Sequence, residues 1–128
     1  MTLGLTRVKV LKTILIVDDS DHIRRLIKNL VWDLAETVVE CTDGSEAFAA
    51  YQKHNPDWVL MDVKMKMVDG IDATRQIKME YPDAKIMIVT DFDVADLREA
   101  AFRAGAREYV VKEDLLSLRR ILQGRQVN

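Results

Sequence analysis

The stretch WVLMDVKMKMVDG, residues 58–70, opens with four apolar residues, meets one carboxylate at Asp62 and then becomes a polar loop closed by Asp69 and Gly70. A run so short and so uniformly apolar reads as a strand buried on both faces. Ending such a strand on a carboxylate makes chemical sense if other strands deliver polar groups to the same place. They do. TILIV (13–17) is followed by Asp18 and Asp19, KIMIV (85–89) by Thr90 and EYVV (108–111) by Lys112, while TVVEC (37–41) completes a set of five.

Between the strands the apolar spacing changes from two to three and four. Ile23, Leu26, Ile27, Leu30, Val31 and Leu34 mark one helix face, Val94, Leu97, Ala101 and Phe102 another, and Leu115, Leu116, Leu118, Ile121 and Leu122 a closing helix. The run Asp43-Gly44-Ser45-Glu46 has the spacing of a capping box, and Gly105 stands where a helix should stop. The pattern is therefore βα repeated five times. Strands apolar on both faces and joined by helices form a parallel sheet covered on both sides, so all carboxyl ends share one edge, where open sheets bind ligands.

A chain of 128 residues is long enough for a single domain with a core. We expect an N-terminal extension over 1–11, the domain over 12–122 and a tail or linker start over 123–128. With 19 basic and 21 acidic residues, the net charge of -2 offers no general attraction to nucleic acid or an anionic membrane. No apolar stretch reaches the roughly 20 residues of a membrane span. The lone Cys41 can form no internal disulfide, and no Cys/His cluster suggests zinc, so a cytoplasmic location is expected.

Three carboxylates at one edge repel one another by about 4 kcal/mol per pair at roughly 4 Å and an effective dielectric near 20. A cation must sit among them. Oxygen ligands without histidine or cysteine favour Mg²⁺, for which Mn²⁺ can substitute. His22 reads as a surface residue early in a helix and His54 as a surface residue in a loop before Pro56.

The pieces ILIVDDS, VLMDVKM with Asp69-Gly70, IMIVT and EYVVK resemble the response-regulator receiver domains of two-component signalling, over nearly the whole chain. The continuation Lys112-Glu113-Asp114 is similar to CheY-like receivers of the LuxR/NarL type. The resemblance implies an α/β flavodoxin-like (βα)5 sandwich with a parallel sheet of order 2-1-3-4-5. It implies that Asp62 is the phosphoacceptor, that Asp18, Asp19, Asp62 and the backbone carbonyl of Lys64 hold Mg²⁺, and that Thr90, Lys112 and Tyr109 bind the phosphoryl group and switch.

It further implies phosphorylation by a sensor histidine kinase or phosphotransfer protein. The output would be a downstream effector protein or fused output domain, read through the fourth helix, fifth strand and fifth helix. A phosphorylation-dependent homodimer stays open. No direct nucleic-acid binding, no membrane and no enzymatic turnover beyond self-phosphotransfer and self-dephosphorylation are expected. The alternative is a degenerate receiver acting through phosphorylation-independent contacts. A haloacid-dehalogenase-type phosphatase is disfavoured because Asp62-Val63-Lys64 has lysine where a second acid belongs, and a dinucleotide-binding reading lacks GxGxxG.

Three positions depart from the family pattern: Glu113 follows Lys112 where proline is usual, Lys66 replaces another proline, and Asp91 stands where a small residue leaves room for phosphate. Lys64 or another cation is expected to pair with Asp91 across the pocket mouth. Phe92 either covers the pocket mouth or packs under the fourth helix, and the packing role is the one expected.

Overall fold

The computed structural model describes residues 11–124. Strands and helices alternate: β1 (Leu11–Val17), α1 (Asp21–Val31), β2 (Ala35–Cys41), α2 (Ala47–His54), β3 (Trp58–Met61), α3 (Gly70–Glu80), β4 (Ile86–Thr90), α4 (Ala95–Ala104), β5 (Glu108–Val111) and α5 (Leu115–Leu122). Short 3₁₀ turns over Gly44–Glu46 and Lys112–Asp114 precede α2 and α5. The five strands are parallel in the order β2-β1-β3-β4-β5, which is the flavodoxin-like architecture.

Alternation along each strand builds two cores. Leu15, Val17, Val59, Met61, Ile86 and Ile88 pack with α2, α3 and α4. Their sequence neighbours Ile14, Ile16, Leu60, Met87 and Val89 pack with α1 and α5. Nearly all are fully buried, and each such side chain contributes about 1.5–3 kcal/mol. This two-sided burial explains the unbroken apolar runs. Arg119 of α5 ties that helix to the turn after α1, its guanidinium donating to both oxygens of Asp33 at 2.7 and 2.9 Å.

Local chemistry sets the element ends. The Ser20 hydroxyl accepts from the Ile23 N–H to start α1, and Asp69 accepts from Asp72 to start α3. The capping box at Asp43–Glu46 forms as expected. Helix α4 stops at Gly105, whose φ of 111° is a left-handed conformation that favours glycine. Both β1 and β2 begin two residues before their apolar runs, because the ladder continues through the Leu11–Ala35 pair.

Some expectations need correction. Helix α1 stops at Val31, so Leu34 is buried in the following turn and not on the helix. Leu26, Phe102 and Leu116 keep helical spacing yet are exposed. His54 closes α2 and does not lie in a loop, although both it and His22 are exposed as expected. Leu11 belongs to β1; residues 1–10 and 125–128 of the expected extension and tail lie outside the described residues. Among the described residues, no helix is long and apolar enough to cross a membrane.

Candidate functional site

Because β1 and β3 are sheet neighbours, the residues that follow them emerge side by side. The Asp62 N–H donates to the Val17 carbonyl at 2.9 Å, and the Asp18 N–H to the Cys41 carbonyl at 3.1 Å, so the ladder extends into the acidic segment. Asp18 and Asp62 are buried at 2% and 7% exposure, whereas Asp19 faces solvent. One carboxylate oxygen from each of the three lies within 4.8 Å of the others. Gly70 makes this edge possible: a Cβ there would lie 1.8 Å from the Asp62 carbonyl oxygen, so only glycine lets α3 begin so close to β3.

Lys112 completes the group from the 3₁₀ turn after β5. Its ammonium, 9% exposed, lies 3.0 Å from Asp18 Oδ2 and 3.2 Å from Asp62 Oδ1. Glu113 stands where proline is usual, and with a trans Lys112–Glu113 peptide the ammonium still reaches both carboxylates. Burial pushes the Asp62 carboxyl up, Asp18 pushes it further, and Lys112 pulls it back, leaving it at about 6. Burial works against the Lys112 charge too, but the Asp18 and Asp62 carboxylates outweigh it and hold the ammonium above its ordinary value. An oxygen-only set of three acids with one exposed member fits Mg²⁺ or Mn²⁺, hard cations that take carboxylates together with water. Lys64 stands in the loop that follows β3, two residues past Asp62.

At the β4–β5 side, Thr90 is fully buried as the last residue of β4. Its hydroxyl accepts from the Phe92 N–H at 3.3 Å. Tyr109 is buried, its hydroxyl donates to the Phe92 carbonyl at 2.5 Å, and its ring lies under the Arg98 guanidinium, 4.5 Å away. Phe92 thus ties Thr90 to Tyr109 through its two main-chain groups. The expected pairing of Lys64 with Asp91 is not formed: the Lys64 ammonium sits over the Phe92 ring, 4.9 Å from its centre, and among the described residues no ion pair joins it to Asp91. Phe92 accordingly lies beneath Lys64, 37% exposed, and is not simple packing under α4. A cation–π contact satisfies Lys64 without the desolvation that a second carboxylate in the mouth would require.

Two supporting residues were not among the sequence candidates. Arg24 is buried on α1 and donates to the Asp18 carbonyl at 2.7 Å. Asp43 closes the capping box but also accepts from the Met67 and Val68 N–H groups at 2.9 and 3.2 Å, fastening the loop after β3 to the loop after β2. The Met67 N–H, with those of Ser45 and Val68, holds the Asp43 carboxyl well below the usual range despite its burial. The capping-box spacing marked Asp43; nothing local marked its reach across more than twenty residues.

The family described as the response regulator receiver domain matches residues 14–123. The chain belongs to that family: it is a receiver domain of the two-component response regulators. It is 38% identical over 100 residues to the chemotaxis protein CheY of Bacillus subtilis (strain 168), covering 77% of this chain and 83% of that one. Among solved structures it resembles a LuxR-family two-component response regulator from Aurantimonas sp. SI85-9A1, with 33% identity, a TM-score of 0.77 and coverage of 89% and 86%. It also resembles the CheX–CheY–BeF3–Mg complex from Borrelia burgdorferi, with 25% identity, a TM-score of 0.77 and coverage of 88% of each chain.

Proposed function

We propose that Asp62 accepts a phosphoryl group from a phosphohistidine of a sensor histidine kinase or phosphotransfer protein, with Mg²⁺ held by Asp18, Asp19, Asp62 and the Lys64 carbonyl. The observation that carries this is the meeting of three strand-end acids with the Lys112 ammonium at one solvent-facing edge. A carboxylate oxygen of Asp62 forms the new O–P bond as the donor's N–P bond breaks, and the product is an acyl phosphate. When bound, the metal neutralises charge on the transferring oxygens and orients them. That a structure resembling this chain is a CheX–CheY complex with BeF3 and Mg supports a magnesium-dependent reading here.

The protein's own groups do the rest. Lys112 already contacts Asp62 and offsets the charge that accumulates on the phosphoryl oxygens. Thr90 uses its oxygen as an acceptor from Phe92, while its own proton has no acceptor among the described residues and is free to be donated to a phosphoryl oxygen. Turning toward that oxygen gives up the Phe92 N–H and so loosens the segment that also holds the Tyr109 hydroxyl. Phosphorylation thereby biases the α4–β5–α5 surface, which an effector protein, a fused output domain or a second copy reads. A phosphorylation-independent role has no observation in its favour, whereas the meeting of the three acids with the Lys112 ammonium supports phosphotransfer.

Incubation with Mg²⁺ and acetyl phosphate, followed by intact mass measurement, tests the proposal. The wild type gains one phosphoryl group and Asp62→Asn gains none. A phosphorylated Asp62→Asn protein, or an unmodified wild type, would remove Asp62 from this role.

A further inference from the structure

Arg24 has no part in the reading above, yet its guanidinium is buried and fully engaged. Nε donates to Glu40 Oε1 at 3.0 Å, Nη2 pairs with Asp21, and Nη1 donates to the Asp18 carbonyl at 2.7 Å. Glu40 is itself held by Lys28 Nζ at 3.0 Å, so two carboxylates aim the guanidinium and its third arm reaches the peptide that joins Asp18 to Asp19. That peptide plane decides where both carboxylates emerge. The peptides on either side are held separately, by the Asp18 N–H on the Cys41 carbonyl and by the Ser20 N–H on Asp18 Oδ1, at 3.1 and 2.9 Å.

We infer that Arg24 is a positioning residue for the divalent-cation site, fixing the Asp18–Asp19 peptide so that the two acids converge with Asp62. The inference rests on the proposed Mg²⁺ site and deepens it. Without Arg24 the Asp18 carbonyl loses, in a buried setting, the side-chain partner it has among the described residues, and the plane turns to find another. The acids then separate. Groups that orient metal ligands from behind are worth about 10–100-fold in metal affinity.

The competing accounts make different predictions. If Arg24 were only a positive charge near the acids, removing it would strengthen Mg²⁺ binding by relieving repulsion. If it were only a staple between α1 and β2, Lys28 would do the same through the same Glu40 without touching Asp18. Titration calorimetry of the full chain with Mg²⁺ separates them, with circular dichroism as the check on folding. Arg24→Lys keeps the charge but cannot serve Glu40 and the Asp18 carbonyl together, and weakens Mg²⁺ binding about 10-fold. Arg24→Met weakens it at least as much, and Lys28→Met, which keeps the Arg24 contact to the Asp18 carbonyl, weakens it less than either Arg24 variant. Should the Arg24 variants not fold, Glu40→Gln, which loosens the aim and leaves Arg24 in place, weakens binding a few-fold. Tighter binding by Arg24→Met, or wild-type affinity in both Arg24→Lys and Glu40→Gln, overturns the inference alone. A wild type that takes up no Mg²⁺ overturns the metal site with it.

Discussion

Around β1 and β3 the charged groups are pinned from several sides: Asp18 by Ser20, Lys112 and Arg24, Asp62 by Lys112 and the β1 backbone, and the following loop by Asp43. Around β4 and β5 the ties are few. The Thr90 hydroxyl has one 3.3 Å partner, and that partner, Phe92, lies in an exposed segment running from Asp91 to Asp96. The first region is prebuilt for chemistry, whose geometry tolerates little error. The second is held weakly enough for one new acceptor to redirect it. Signalling needs both, since a site free to rearrange everywhere would transfer phosphate poorly and one fixed everywhere would report nothing.

Breaking the pinned region should cost the most. In Gly70→Ala the new methyl meets main chain, the Asp62 carbonyl oxygen at 1.8 Å, which cannot swing aside as a side chain can. We expect a loss of about 3 kcal/mol in urea-unfolding stability, together with loss of acetyl-phosphate reactivity. A change below about 1 kcal/mol would show that this edge is softer than its geometry.

The pinned region also stores electrostatic cost, and pH exposes it. In the metal-free protein the Asp62 carboxyl lies at about 6, above the roughly 4 of an unfolded chain. The folded state therefore binds the extra proton between those values, so the contribution of Asp62 to stability is most favourable below about pH 4, falls as pH rises and reaches its lower plateau above about 6. Asp62→Asn escapes this cost. In EDTA it should be about 1–3 kcal/mol more stable than the wild type at pH 7.5, with the gap closing toward pH 4. Added Mg²⁺ should raise the wild-type melting temperature and leave the variant's unchanged. A pH-independent gap would place the cost elsewhere.

What could be read in the chain beforehand follows the same division of physics. Strand-end positions such as Asp62 and Lys112 are legible because two-sided burial writes an unbroken apolar run, and whatever follows the run must surface at the shared edge. Gly105 and the Asp43 box are legible because caps are local. Arg24 and the second role of Asp43 are not, since an arginine at helical spacing looks the same whether its head meets water or a buried carbonyl. The Lys64–Asp91 pairing fails for a related reason: opposite charges three segments apart suggest attraction, but the ring of Phe92 one residue further on reaches the ammonium first.

That leaves Asp91 as a charge in the mouth with no ion pair to Lys64, which sharpens the comparison at its weaker end. An acyl-phosphate donor is anionic, so an exposed carboxylate beside Thr90 repels it during approach. Replacing it should not disturb the pinned acids, because among the described residues no ion pair or hydrogen bond ties Asp91 to Lys112 or to their backbone partners. Asp91→Asn is expected to react with acetyl phosphate roughly 2–5-fold faster at low ionic strength, the range that a screened surface charge produces. The advantage should fade as salt approaches about 0.5 M, where screening acts within a few ångströms. Rates followed by intact mass at two salt concentrations distinguish this from a steric effect, which salt would leave intact; an Asp91→Asn protein no faster than wild type at low salt would assign the mouth no electrostatic control.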